Sequence, residues 1–222
     1  MEHVSESVYD LVILGAGSGG YAAALRASQL GLKVALIEGD KVGGTCLHRG
    51  CIPTKAYLHA AETADAIRES DTFGVQATLQ GIDMAKVGQY RDSIINKLFR
   101  GVQGLLSSRG VDVIEGWGRL ASPDTIEVNG RRIVGRNIIL ATGSYSRSIP
   151  GLDISGRIIT SDQALQMEWV PQRAVVLGGG VIGLEFASVW RSFGAEVTII
   201  EALPHLANNE DEAVSKHLER SF

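Results

Sequence analysis

The feature that most restricts how this 222-residue chain can fold is a pattern that occurs twice in one register. In the first copy, Tyr9-Asp10-Leu11-Val12-Ile13-Leu14 leads into Gly15-x-Gly17-x-x-Gly20, a helical stretch to about Leu30, and the run Lys33 to Ile37 closed by Glu38. In the second, Ala174-Val175-Val176-Leu177 leads into Gly178-x-Gly180-x-x-Gly183, a helical stretch to about Phe193, and Glu196 to Ile200 closed by Glu201. Gly15 to Gly178 and Glu38 to Glu201 are both shifts of 163 residues. One glycine triplet is a moderate signal. Two with matching strand, helix and acid contexts specify a pair of strand–turn–helix units built to hold dinucleotides.

Each residue type has a physical task in such a turn. The first glycine permits the sharp bend, the second admits a pyrophosphate against the backbone, and the third lets helix and strand approach. The helix amino end offers unpaired N–H groups to the anion. Glu38 and Glu201 are placed to accept hydrogen bonds from an adenosine ribose, and a carboxylate there repels a ribose phosphate, which favours NAD over NADP in the second turn. The fold class that follows is α/β, with two Rossmann-like dinucleotide-binding domains, the second incomplete.

The rest of the chain fills in this plan. Helix formers dominate from Pro53 to about Glu69, and Ile94, Ile95, Leu98, Val102, Leu105 and Leu106 recur at helical spacing within Asp83 to Arg109. Between Val111 and Val134 the period falls toward two, with turns at Ser122-Pro123-Asp124 and Asn129-Gly130, which predicts a small β-meander. Asn137 to Leu140 reads as a further buried strand, and Ile149-Pro150-Gly151 as a domain crossing. The expected domains are residues 1–150 and 151–222. Val214, Leu218 and Phe222 recur every four residues, which predicts an amphipathic helix cut by the terminus. A sheet left incomplete in this way is expected to expose open edges and an apolar face.

Composition excludes several classes. With 45% hydrophobic and 21% charged residues the chain reads as globular, and its formal charge of -4 argues against nucleic acid or an anionic membrane as the main partner. Met1 to Asp10 has no apolar block behind a basic start, and the longest uncharged stretch, Leu11 to Leu25, is too short for a membrane span. A cytoplasmic location is the expectation.

The only two cysteines, Cys46 and Cys51, fall within Gly43-Gly44-Thr45-Cys46-Leu47-His48-Arg49-Gly50-Cys51-Ile52-Pro53-Thr54-Lys55. Residues five apart on a regular helix are separated by about 7.5 Å along its axis, too far for a disulfide, so an irregular start to the helix is expected, with Gly50 and Pro53 supplying the distortion. His48, Arg49 and a nearby helix terminus favour the thiolate. Buried structural thiols or half of a metal site remain as alternatives. A catalytic dithiol suits a reducing compartment better than a structural bridge. Traffic between a dithiol and a nicotinamide calls for a mediator such as a flavin, which assigns FAD to one turn and NAD to the other.

These residues together resemble the amino-terminal half of the flavoprotein disulfide reductase family, class I of the pyridine nucleotide-disulfide oxidoreductases. The motifs are Gly15 to Gly20 with Glu38, the Gly-Gly-Thr-Cys-x3-Gly-Cys-Ile-Pro-Thr-Lys segment, Ala141-Thr142-Gly143-Ser144, and Gly178 to Glu185. The Cys-Ile-Pro-Thr-Lys wording resembles the lipoamide branch more than the glutathione branch. The resemblance implies an enzyme that oxidises dihydrolipoyl groups of 2-oxoacid dehydrogenase or related complexes with NAD as acceptor, working as a homodimer and using no metal. It implies that Cys46 is the interchange thiol and Cys51 the thiol lying over the flavin. Lys55 would approach the flavin with Glu185 as its ion-pair partner. Thr45, Gly118, Thr142, Gly143 and Ser144 would line the FAD cleft, and Gly178, Gly180, Gly183, Glu185 and Glu201 would bind NAD.

Two departures qualify this. The family often carries Asn where this chain has His48. The family's dimer-forming domain and acid-base histidine and glutamate have no counterpart here, since none of His3, His59, His205 and His217 matches that histidine's motif. Another flavoprotein disulfide or mercuric reductase, and a nucleotide-binding fragment without turnover, are the alternative readings.

Overall fold

The computed structural model describes residues 8–222, so the acidic start of the chain before Val8, with His3, lies outside the described residues. The chain forms two compact units, one running to Ile52 and resuming over Ile94–Leu152, the other comprising Pro53–Ser93 and Asp153–Phe222.

In the first unit, strands β1 (Leu11–Leu14), β2 (Val34–Glu38), β3 (Asp112–Glu115) and β7 (Ile138–Leu140) form one parallel sheet in the order β3-β2-β1-β7. Helix α1 (Ser18–Gln29) makes the crossover from β1 to β2, as the repeat predicts. Side chains alternate across the two central strands. Leu11, Ile13, Val34 and Leu36 join a core with Ala24 and Ala27 of α1 and Leu106 of the long helix α4 (Met84–Ser108). Val12, Leu14, Ala35 and Ile37 point the other way, into a core with Ile126, Val128 and Ile133. Those last three belong to the meander of β4 (Arg119–Ser122), β5 (Thr125–Val128) and β6 (Arg131–Val134), an antiparallel sheet that covers this face. Its β5–β6 turn is built on Asn129 and Gly130, both at positive φ, as Asn-Gly predicts.

Two expectations are corrected in this unit. Asp112–Glu115 is not part of the meander but pairs in parallel with Ala35–Glu38. As an edge strand it is covered on one side only, and the alternation that results looks in sequence like a hairpin strand. Ile138–Leu140 is not buried: Ile139 and Leu140 are 37% and 58% exposed, because β7 pairs with β1 alone.

The second unit has a parallel pair, β8 (Arg173–Leu177) and β9 (Glu196–Ile200), joined by α6 (Val181–Phe193). Phe186, Val189, Trp190 and Phe193 of α6 pack with Tyr57 and Ala61 of helix α3 (Cys51–Glu69), with Met84, and with Leu165 after the short helix α5 (Ser161–Ala164). The Tyr57 hydroxyl donates to the Leu165 carbonyl at 2.9 Å, and the buried Arg91 guanidinium donates to both Tyr57 Oη and that carbonyl. Thus Pro53–Ser93, expected within the first domain, shares the core of the second unit; helical periodicity shows that a face is apolar, not which core receives it. The last of the boundaries between the two units falls after Leu152.

Strands β8 and β9 expose one apolar face, with Val175 at 63%, Leu177 at 53% and Ile200 at 54%, since α6 covers only the other. The last helix, α7 (Glu212–Glu219), is capped by Asp211, whose carboxylate accepts the Ala213 N–H at 2.9 Å. It closes before Phe222, and its buried residue is Ser215, which donates to the Ala207 carbonyl at 3.0 Å, rather than the Val214 stripe. Among the described residues no helix is long and apolar enough to cross a membrane.

Candidate functional site

The first glycine turn lies at the carboxyl ends of β1 and β7. Gly15 has φ +99°, and a Cβ there would sit 2.2 Å from the Ala141 carbonyl oxygen, so only glycine fits between the two strand ends. A Cβ on Gly20 would lie 1.8 Å from the Gly15 oxygen, which is how closely α1 is drawn onto the turn. Gly17 caps α1 without a side-chain hydrogen bond, leaving the helix amino end open at the crevice. Glu38 fixes the geometry: one carboxylate oxygen accepts the Ala16 N–H at 2.7 Å and the other the Asp40 N–H at 2.9 Å. Thr142, Gly143 and Ser144 follow β7 in an exposed loop. Gly118 is packed so tightly that a Cβ would meet Leu14 at 2.6 Å and Ile37 at 3.1 Å, close contact that by itself accounts for a glycine.

The dithiol segment is built onto this turn. The Gly43 N–H donates to the Ala16 carbonyl at 2.8 Å, and a Cβ on Gly44 would sit 2.6 Å from Gly17 Cα. From there helix α2 (Gly44–Arg49) carries Thr45 and Cys46, breaks at Gly50, and Cys51 opens α3. The expected irregular start is therefore present as two helices. The break folds the chain sharply, since a Cβ on Gly50 would come within 3.3 Å of Cys46 Cα. Both cysteines are thiols, Cys46 half-buried and Cys51 exposed. Cys46 borders a cavity of about 200 Å³ lined chiefly by Tyr21, Leu47, Ile52, Leu98 and Val102. His48, expected to act on the thiols, is held elsewhere: its Nε2 lies 2.9 Å from the Val42 carbonyl and its ring meets Phe99 edge-on at 5.1 Å. A carbonyl only accepts, so Nε2 carries the proton. Among the described residues no group of three or more His, Cys, Asp or Glu side chains is arranged to hold a metal ion.

The second turn repeats the first bond for bond. Gly178 has φ +101°, and its N–H donates to Ile200 O at 2.8 Å, as Gly15 N–H donates to Ile37 O at 2.8 Å. Glu201 accepts the Gly179 N–H at 2.6 Å and the Leu203 N–H at 2.8 Å, the counterparts of Ala16 and Asp40. The Leu203 and then the Gly179 N–H hold the Glu201 carboxyl below the usual glutamate range. Gly180 caps α6 without a side-chain bond, and a Cβ on Gly183 would lie 2.3 Å from Gly178 O. Glu185, one turn into α6, forms an ion pair with Lys55 of α3 within the same unit. Sequence reasoning misses the tie between Gly43-Gly44 and the first turn; a double glycine directly ahead of a cysteine helix is the available signal.

A sequence profile of the family described as pyridine nucleotide-disulphide oxidoreductase matches residues 9–222. The chain belongs to that family. This member is 45% identical to the dihydrolipoyl dehydrogenase of Bacillus subtilis (strain 168) over 95% of its own length, and 41% identical to that of Thermus scotoductus over 96%. The matches cover 48% and 46% of those proteins, so the chain spans about half the length of the curated relatives it matches. Among solved structures it is similar to the HOCl-induced flavoprotein disulfide reductase RclA from Escherichia coli, with a TM-score of 0.78 and 30% identity over 96% of this chain and 46% of that one.

Proposed function

We propose that this chain supplies the FAD-binding and dithiol portion, and part of the NAD-binding portion, of a dihydrolipoyl dehydrogenase. The observation that carries the reading is the attachment of the cysteine helix to the first glycine turn through Gly43 and Gly44. The identity to dihydrolipoyl dehydrogenases supports the substrate class.

The residues present fit a dinucleotide in each turn: the amino ends of α1 and α6 are free of side-chain caps, and no Cβ fills the approach at Gly17 or Gly180. Gly15, Gly17, Gly20, Glu38, Thr45, Gly118, Thr142, Gly143 and Ser144 are assigned to FAD. Gly178, Gly180, Gly183, Glu185 and Glu201 are assigned to NAD, with the Glu201 carboxylate disfavouring a ribose phosphate. FAD bound there supplies a two-electron acceptor between sulfur and nicotinamide. Lys55 contributes a cation held in place by Glu185.

The protein's own part is thiol–disulfide exchange. A substrate thiolate attacks Cys46 Sγ of the Cys46–Cys51 disulfide, that S–S bond breaks, and Cys51 leaves as thiolate. The second substrate thiol loses its proton and attacks the mixed disulfide, freeing Cys46 thiolate and the cyclic disulfide product. The apolar cavity beside Cys46 suits the hydrocarbon portion of a lipoyl group. The lipoyl-bearing subunit of a 2-oxoacid dehydrogenase complex is the proposed partner.

The test is anaerobic titration of the intact FAD-loaded protein with dihydrolipoamide. The reading expects a long-wavelength thiolate-to-flavin absorbance, lost in Cys51→Ser, and NADH formation when NAD follows. Reduction by glutathione or mercuric turnover in place of lipoyl oxidation would move the assignment to another branch; absence of the absorbance band would reject it.

A further inference from the structure

The departure at His48 is the feature of the dithiol segment that the exchange chemistry does not use. Helix α2 has six residues, too few to hold a helical conformation by itself, so its placement depends on contacts beyond it. Its amino end is fixed by the Gly43 N–H to the Ala16 carbonyl and by Gly44 against Gly17. Its middle is fixed by Leu47, buried to 6% exposure and folded over Gly43. Its last turn is held by His48, through the Nε2–H to the Val42 carbonyl and the ring edge on Phe99. The two fastenings run in different directions, one to the segment entering α2 and one to α4. Beyond His48 the chain reaches Gly50, whose conformation (φ -137°, ψ -114°) turns it back toward Cys46 before Cys51 begins α3.

We propose that His48 is a positioning residue: by holding the last turn of α2 to Val42 and Phe99 it fixes the Cys46 thiol for bond formation with Cys51. The inference rests on the dithiol being the redox couple of the proposed function. Closing the bond removes two protons and two electrons from the pair, and glutathione disulfide, becoming two glutathione thiols, is the oxidant used to measure it. A helix pinned at both ends loses less conformational freedom on closure than one pinned at its start, so the clamp favours the disulfide.

Equilibration of the intact FAD-loaded protein with glutathione redox buffers, followed by thiol trapping and mass analysis of the Cys46–Cys51 peptide, measures the closure constant. In His48→Phe, which keeps a ring against Phe99 but has no donor, closure falls about fivefold, the worth of one neutral hydrogen bond. In His48→Leu, which lacks ring and donor, it falls further. In His48→Gln, whose amide carries a donor at similar reach, it stays within about twofold of the parent. FAD content, measured on the same samples, restricts the comparison to folded protein. A parent protein that forms no Cys46–Cys51 disulfide sinks the proposed function itself. A parent that closes normally, with Phe, Leu and Gln variants all equal to it or all equally impaired, overturns the role of His48 alone.

Discussion

Two neighbouring glycines at the start of α1 should respond in opposite senses to the same substitution. A Cβ added at Gly19 would meet nothing within 4 Å, whereas one on Gly20 would lie 1.8 Å from the Gly15 oxygen and 2.9 Å from its carbonyl carbon. A carbon–oxygen contact relaxes only beyond roughly 3 Å, so Gly20→Ala must move the first turn of α1 by more than about 1 Å, an overpacking cost of about 1–3 kcal/mol. Gly19→Ala replaces an exposed helical glycine and gains about 0.5–1 kcal/mol. The two variants should therefore differ by about 2–4 kcal/mol, or about 1–2 M in urea midpoint for a slope of about 2 kcal/mol/M. The same displacement opens the turn that Ala16 and Gly17 share with Gly43 and Gly44, so FAD retention after gel filtration should fall in Gly20→Ala and hold in Gly19→Ala. Equal midpoints and equal FAD content in the two variants would refute the claim that the third glycine serves helix–strand approach.

Other outcomes follow from the same geometry. Tyr57→Phe removes the hydroxyl that bonds Leu165 and Arg91 in a buried setting, and urea unfolding should show a loss of about 1–2 kcal/mol. Lys55→Met, at an ion pair with one partner largely exposed, should shift stability by less than about 1 kcal/mol while lowering dihydrolipoamide turnover at least about tenfold, a split that paired unfolding and kinetic measurements would reveal. Because the folded-state Glu201 carboxyl is held below its unfolded value, its contribution is complete above the unfolded pKa and is lost as pH falls through the folded one. Fluorescence of the buried Trp190 should therefore report acid loosening of the second unit, and Glu201→Gln should flatten that portion of the profile.

What the sequence made legible was governed by short-range rules. Strand–glycine turn–helix–acid is a local grammar, and it located both turns and their acids, as Asn129-Gly130 located the hairpin. The break between Cys46 and Cys51 was legible because helix geometry and sulfur reach conflict. Features that depend on which surfaces meet were not. Asp112–Glu115 reads as a hairpin strand because an edge position alternates like one, and Tyr57 and Met84 look like core without naming their core. The backbone bonds from Asp40 to Glu38 and from Leu203 to Glu201 leave no side-chain signature, since any residue except proline supplies an N–H.

The segment between Glu38 and Gly44 acts as a ruler. Its length is set at one end by an acid locked to Ala16 and at the other by a glycine resting on Gly17. One residue added or deleted would turn α2 by about 100° about its axis, presenting Thr45 or Leu47 where the sulfur now stands. Loop exchange among relatives should therefore tolerate changes of side chain at the exposed Asp40 and Lys41 far better than any change of number.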